Sequence, residues 1–298
     1  MPGVGRIRVP ASSANLGPGF DVLALAINLY LTVEARESAT TSVTWRGVGA
    51  SDVPDDERNL IVRAAQEPFV KWSRPLVGVS VRIHNTIPVG RGLGSSAAAL
   101  VAGIVLGARL RGLRIEPERI IELALPLEGH ADNLTAALHG GFTLAVSENG
   151  IVRSHRLDWP ARWRLVLFVP DAVSPTEEAR RLVPRNPALQ DAVFNLGRVA
   201  ELMLAVRNRD GTLLRSALDD RLHQPGRASA YEYLPDMIYA AVEAGALGAA
   251  LSGAGGSVIA VADRSLSRIA SAMKRVAKAH RIDGQTLILR AVSRGPRL

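Results

Sequence analysis

The sequence predicts an α+β fold in two domains. Strand-like and helix-like segments follow one another without the regular alternation that builds a parallel sheet. At 298 residues the chain has material for two ordinary cores. The hairpin signal Asn149-Gly150 ahead of Ile151-Val152 closes the first half, and the domains are placed at 1–155 and 156–298.

Taken in order, Ile7–Val9 and Leu29–Ala35 read as strands, and Asn59–Trp72 has helical periodicity. Val79, Val81 and Ile83 alternate within Val77–His84 as a half-buried strand requires. A helix runs from Ser95 to about Leu110, and a second spans Glu116–Leu125, opened by Pro117. Gly140-Gly141 turns into a strand through Val146. Beyond the boundary, Arg164–Val169 reads as a strand, and Asp191–Arg207, Leu213–Leu218 and Pro235–Ala244 as helices. Ala249–Leu251 and Val258–Ala262 flank a glycine loop, and Ser265–His280 is a helix before the strand Gln285–Val292.

Composition narrows the function classes. The apolar runs Ala97–Leu106 and Ala240–Leu251 are too short, or too rich in glycine and alanine, to span a bilayer, so no membrane partner is expected. The start of the chain reads as a short strand between Arg6 and Arg8 rather than as a leader. Cysteine is absent, which removes disulfides and thiolate metal sites and fits a cytoplasmic enzyme. A net charge of +8 invites nucleic acid, but the arginines are dispersed and aromatics amount to 4%, leaving few stacking platforms. No nucleic-acid partner is therefore expected, and anionic nucleotides are the more economical use of the field.

The segment Pro88-Val89-Gly90-Arg91-Gly92-Leu93-Gly94-Ser95-Ser96-Ala97-Ala98 reads as a phosphate cradle, because glycines admit an oxyanion close to backbone N–H groups and the following helix offers unpaired amides. It is neither a Walker A motif, since no lysine follows Gly94, nor a Rossmann fingerprint, since its glycines alternate. Small residues at such a turn serve packing equally well. A second glycine-rich turn, Gly245–Ser257, is able to close over phosphates or simply to join packed elements.

Other polar groups fall into three places. In Asn15-Leu16-Gly17-Pro18-Gly19-Phe20-Asp21 the glycines around proline force a tight turn that brings Asn15 and Asp21 together, a clamp suited to an ammonium group or an Asx-turn. Glu128-Gly129-His130-Ala131-Asp132-Asn133 packs four polar side chains into six residues, with Glu128 able to hold Mg²⁺ through a hard oxygen together with a cradle serine; a solvated loop is the alternative. Thr176 reads as a helix N-cap with Arg180 one turn further, and Arg227 sits in the turn His223–Arg227; either arginine suits a carboxylate or a solvated surface.

Together these motifs resemble the homoserine kinases, of the family that also contains galactokinase, mevalonate kinase and phosphomevalonate kinase. The resemblance spans essentially the whole chain, with Ser12–Asp21, Pro88–Ala98, Glu128–Asn133, Thr176–Arg180 and Leu251–Gly255 in the expected order. It implies a ribosomal-protein-like N-terminal domain with a non-Walker phosphate loop and a ferredoxin-like C-terminal domain. It also implies ATP and Mg²⁺ as cofactors, L-homoserine as substrate, a place in threonine biosynthesis and a homodimer. By the resemblance, Pro88 to Ala98 hold the nucleotide with Thr176, Asn59 meets adenine, and Ser96 and Glu128 ligate the metal. Asn15, Asp21, His130, Asn133, Arg180 and Arg227 form the substrate pocket, with Asn133, Asp132 and Arg180 at the chemistry. Asp132 lies where related kinases place a catalytic aspartate, and direct proton passage to the γ-phosphate is the alternative; our hypothesis is that orientation dominates. The chain departs from the family pattern at Gly255-Gly256-Ser257, where Gly-Pro-Thr is usual, and at Leu134-Thr135-Ala136, where Val-Ala-Pro is usual.

Overall fold

The computed structural model describes residues 5–72, 76–174 and 176–298, except the side chains at 70–72 and 176. The chain opens with two long antiparallel strands, β1 (Gly5–Asn15) and β2 (Gly19–Glu37), where short ones were expected. The small polar residues around Ser12 and Gly19 look like a loop but are paired and buried. Register shifts at Pro10/Ala11 and Ala14/Asn15 bend the ribbon, so that the two ends of β2 serve different neighbours. Its second half pairs with β4 (Val79–Asn85) and its first with β5 (Phe142–Glu148).

An unexpected parallel edge strand, β3 (Ser42–Gly47), and the hairpin partner β6 (Ile151–Leu157) complete the sheet, ordered β3-β4-β2-β5-β6 with β1 on β2. Asn149 (φ 52°) and Gly150 (φ 77°) are both left-handed, as the tight β5–β6 hairpin demands.

Helices α1 (Leu60–Gln66), α2 (Ser95–Leu110), α3 (Pro117–Glu128) and α4 (Asp132–His139) accompany this sheet. The α2 helix is buried almost all round. A Cβ on its Gly103 would lie 2.4 Å from the Ile61 carbonyl oxygen, so glycine is what lets α1 approach this closely. α3 runs to Glu128 rather than stopping at Leu125, since Pro126 in the last turn forfeits only one helical hydrogen bond. The α4 helix was not expected: its eight residues are fenced by left-handed Gly129 and Gly140, too short a stretch for periodicity to reveal.

The chain leaves the first sheet at Leu157 and enters the second at β7 (Arg164–Pro170). There follow α5 (Thr176–Arg181), α6 (Leu189–Asn208), α7 (Leu214–Ala217), α8 (Gln224–Ala228), α9 (Leu234–Glu243), β8 (Gly248–Leu251), β9 (Val258–Ala262), α10 (Leu266–Ala279) and β10 (Gly284–Arg290). The second sheet is antiparallel and ordered β10-β7-β9-β8, the split arrangement of a ferredoxin-like layer. The expected turn at His223–Arg227 is instead the short helix α8, started by Pro225 in its first turn. After β10 the chain returns to the first sheet: Val292 N–H donates to the Ala26 carbonyl (2.9 Å), and Gly141 N–H to the Val292 carbonyl (2.6 Å). This return joins the two layers beside the loops that carry the polar residues.

Candidate active site

The cradle is built by backbone conformation. Gly90, Gly92 and Gly94 all have positive φ (70°, 75° and 66°), and Gly94 caps α2 without any side-chain hydrogen bond. The first amides of α2 are left for an anion, and the helix dipole favours one there. The second glycine loop lies against the back of the first: a Cβ on Gly92 would meet the Ser252 carbonyl oxygen at 2.1 Å, and Ser252 Oγ donates to the Gly92 carbonyl (2.8 Å). Tyr231 and Tyr233 hydroxyls hold that second loop through the carbonyls of Ala254 (2.9 Å) and Gly256 (2.6 Å). Burial pushes the Tyr233 hydroxyl well up, which keeps it a neutral donor.

A cavity of about 260 Å³ opens in front of the cradle, between the two layers. Val89, Gly90, Gly92, Leu93, Gly94, Ser95 and Ser96 line it, whereas Pro88, Arg91, Ala97 and Ala98 do not. Ala97 and Ala98 pack into the core. Arg91 turns back onto the carbonyls of Val89 and Asp171, with Asp52 3.5 Å away, and so braces the loop. Beside Ser95 and Ser96 a second, apolar slot of about 190 Å³ is walled by Leu31, Trp45, Val53, Pro54 and Leu60, dimensions that suit a flat base. Asn59 is in its wall with both amide atoms engaged: Oδ1 accepts from Ile61 N–H (3.0 Å) and Nδ2 donates to the Pro54 carbonyl (2.7 Å). The side chain of Thr176 lies outside the described residues.

Ser96 and Glu128 are brought together, the hydroxyl donating to Glu128 Oε1 at 2.8 Å. Burial pushes the Glu128 carboxyl up, and nearby His130 counters this only partly. A desolvated carboxylate beside a hydroxyl, opening on a phosphate site, suits Mg²⁺, which takes one or two protein oxygens and completes its shell with phosphates and water. Among the described residues no cluster of three or more His, Cys, Asp or Glu would hold a metal without such help.

The polar cluster continues inward. His130 Nδ1 lies 2.8 Å from Asp132 Oδ1, and the same oxygen accepts from Asn133 N–H at 2.6 Å. Burial disfavours charge on His130, but the hydrogen bond to Asp132 and the charges of Asp132 and Glu128 outweigh it and raise its pKa. Ser12 Oγ donates to Asn133 Oδ1 (2.7 Å), which fixes the amide and leaves its N–H₂ as the donor for the cavity.

Across the cavity stand the carboxylate and the two arginines. Arg180 makes a bidentate pair with Asp21 (3.0 and 2.7 Å), so the expected Asn15/Asp21 clamp is closed by a guanidinium. Asn15 shapes that turn, with Oδ1 accepting from Asp21 N–H (3.1 Å) and Nδ2 donating to the Gly253 carbonyl (3.0 Å). Arg227 is only 1% exposed, which overturns the surface reading. It donates to the carbonyls of Ala179 (3.2 Å) and Gly253 (2.9 Å), while Nη2 has no partner among the described residues and the side chain lines the cavity. Burial, with the Arg180 charge second, lowers its pKa.

Several positioning residues escaped the sequence reading. His223 is fully buried; its Nε2 donates to the Gly17 carbonyl (2.7 Å), so Nδ1 accepts from Arg227 Nη1 (3.0 Å) and the ring is neutral. Asp220 anchors α8 by accepting from the His223 and Gln224 amides (2.9 and 2.6 Å), and Asn195 links Pro18 to Asp220. His223 stood inside a quoted motif, but nothing local marked Asp220 or Asn195.

Burial lowers the His223 pKa from its ordinary 6.5. The unfolded chain therefore binds the extra proton first, and the stability His223 contributes is whole above about pH 6.5 and lost as pH falls toward the depressed folded value. His130, shifted upward, acts in the opposite sense. Thermal unfolding between pH 7 and pH 5 is expected to show Tm falling more steeply for the parent protein than for His223→Gln, which retains a donor for Gly17 without titrating. Parallel slopes would refute the assignment.

The comparisons with known proteins agree with this fold. Residues 59–141 match the GHMP kinases N terminal domain and 202–279 the GHMP kinases C terminal model. A homoserine kinase of Moorella thermoacetica is 40% identical over 90% of this chain and 90% of its own. One from Solibacter usitatus is 38% identical over 97% and 95%. The crystal structure of homoserine kinase from Cytophaga hutchinsonii superposes with a TM-score of 0.87 at 29% identity, covering 99% of this chain and 96% of that one. The crystal structure of L. major mevalonate kinase in complex with R-mevalonate shares the fold (TM-score 0.69, 20% identity, 95% of each chain).

Proposed function

The chain belongs to the GHMP kinase family, and from that premise we propose that it is an ATP-dependent homoserine kinase, making O-phospho-L-homoserine and ADP. One observation carries the choice of substrate: a carboxylate and two guanidinium groups, Asp21, Arg180 and Arg227, face the phosphate loop across a single small cavity. An amino acid offers both an ammonium group and a carboxylate to such a set. Mevalonate has no amine for Asp21.

In this reading the α2 amides and the glycine loop hold the phosphates, and the apolar slot beside Asn59 takes adenine. Ser96 and Glu128 would hold Mg²⁺, which neutralises charge on the phosphates. Arg227 and Arg180 take the substrate carboxylate, and Asp21 exchanges part of its pairing with Arg180 for the ammonium. Asn15 keeps the turn that presents Asp21. The Asn133 N–H₂ orients the hydroxyl oxygen, which forms its bond to the γ-phosphorus as the bond to the ADP oxygen breaks. Asp132 has one carboxylate oxygen loaded by His130 and Asn133, so it acts chiefly by orienting the cluster, and transfer relies on alignment and charge stabilisation. The hydroxyl proton passes to the phosphoryl oxygens. Threonine biosynthesis, a cytoplasmic location and a homodimer complete the proposal; among the described residues no helix is long and apolar enough to cross a membrane.

The reading of the ammonium group is tested with 4-hydroxybutanoate, which keeps the hydroxyl and the carboxylate of homoserine but lacks its amine. With Mg-ATP, kcat/KM is expected to fall about 100-fold or more relative to L-homoserine, the scale of one charge-assisted hydrogen bond. Equal values would remove Asp21 from substrate recognition.

A further inference from the structure

The outer face of the first sheet carries arginines that the catalytic site does not use. Side chains alternate along a strand, so Leu31 and Trp45 turn inward to the apolar slot while their sequence neighbours Thr32 and Arg46 turn outward. Register sets the outward residues in two rows across β1, β2, β4 and β3. Arg6, Glu34 and Arg82 stand in one row, and Arg8, Thr32, His84 and Arg46 in the next.

The rows differ at the β2 position. In the first, Glu34 stands between two guanidinium groups and pairs with both, Arg6 at 3.5 Å and Arg82 at 3.1 Å. In the second, a threonine holds that place and no carboxylate is supplied. Arg8 lies over the Tyr30 ring instead, 3.5 Å from its centroid. Among the described residues, neither Arg46 nor His84 has a side-chain hydrogen bond or an ion pair.

Residues of both rows line a depression of about 330 Å³. Three arginines, Arg6, Arg46 and Arg82, face one carboxylate there, which leaves two positive charges in excess. The complement is an anion of charge near −2 with several acceptor oxygens. A phosphate group meets both demands at neutral pH, and its oxygens match the planar fork of guanidinium. A second copy of the chain would bring the same charges and be repelled.

We propose that this depression is a phosphate site, in which Arg46, Arg82 and His84 hold in the open row an oxyanion of the kind that Glu34 supplies to the closed one. It is separate from the glycine cradle and lies behind the apolar slot, on the other face of the same strands.

Calorimetric titration of inorganic phosphate into the full chain tests this, with the cradle blocked by Mg²⁺ and a non-hydrolysable ATP analogue. One site should remain, and phosphate should occupy it in preference to chloride at matched ionic strength. Arg46→Ser should weaken binding about 10-fold, the scale of one charge-assisted hydrogen bond, and leave turnover with Mg-ATP and homoserine unchanged. Glu34→Gln removes the competing carboxylate and should tighten binding about 3-fold or more. Glycerol 3-phosphate tells the two sources apart: binding tighter than that of inorganic phosphate marks a phosphorylated metabolite as the ligand, and weaker binding marks the free ion. Either result upholds the site. Phosphate no better than chloride would reduce the cluster to a solvated face, and an Arg46→Ser chain that binds as the parent does would overturn the assignment. Neither outcome bears on the proposed kinase activity, which is read from turnover.

Discussion

Glu128→Gln is expected to lower kcat by two to three orders of magnitude while the folded protein becomes no less stable. Glutamine keeps the volume and can still accept from Ser96, whose hydroxyl lies 2.8 Å from Glu128 Oε1. What is lost is the negative charge proposed to hold the metal against the phosphates. Losing one group aimed at developing charge typically reduces kcat about 10²–10³-fold, or about 3–4 kcal/mol. Stability should move the other way. Burial raises the Glu128 pKa, so its ionised form is disfavoured in the folded protein at neutral pH, and a neutral isostere relieves that. Steady-state rates and Tm on the same samples check both halves. Unchanged kcat would take Glu128 out of the metal site, and a collapsed Tm would make its role structural.

Arg227→Met should reduce kcat/KM for homoserine by about 10³-fold, corresponding to about 4 kcal/mol from a charge-assisted pair in a desolvated pocket. KM for ATP should stay within a few-fold, because Arg227 reaches neither the cradle nor the apolar slot. Arg227→Lys should rescue little: an ammonium cannot hold Ala179, Gly253 and a carboxylate in the planar fork that guanidinium provides. The loss should appear at subsaturating homoserine and shrink as homoserine is raised. Loss of ATP affinity instead would mean that Arg227 supports the loops rather than the substrate.

Much of this site was legible because its chemistry is concentrated in short runs. The cradle and the start of α2 at Ser95 follow from glycines giving way to alanines, and Ser96 and Glu128 do meet. The β7, α10 and β5–β6 elements were legible from a continuous apolar run, amphipathic spacing and Asn-Gly. What stayed hidden was tertiary. The Asp21–Arg180 pair spans 159 residues of sequence, and no local pattern tells a clamp open to a ligand from one closed by an arginine. Arg227 stood open between a substrate arginine and a surface charge because its burial depends on α5, α8 and the second glycine loop closing together. Asn15 lines the cavity, but its bracing of two loops was not legible, because an exposed turn amide and a bracing one have the same neighbours in sequence. The full length of β1 and β2 was masked by small polar residues that are buried because their hydrogen bonds are satisfied across the site, as with Ser12 and Asn133.

The central claim is that this cavity directs the phosphoryl group of ATP to the hydroxyl of a zwitterionic amino acid. ADP release with Mg-ATP, measured side by side for L-homoserine, mevalonate, galactose and L-threonine, tests it most directly. Turnover with L-homoserine at least about 100-fold above each of the others, with product phosphate on the side-chain oxygen, is the predicted result. No turnover with homoserine, or a preference for mevalonate, would contradict it.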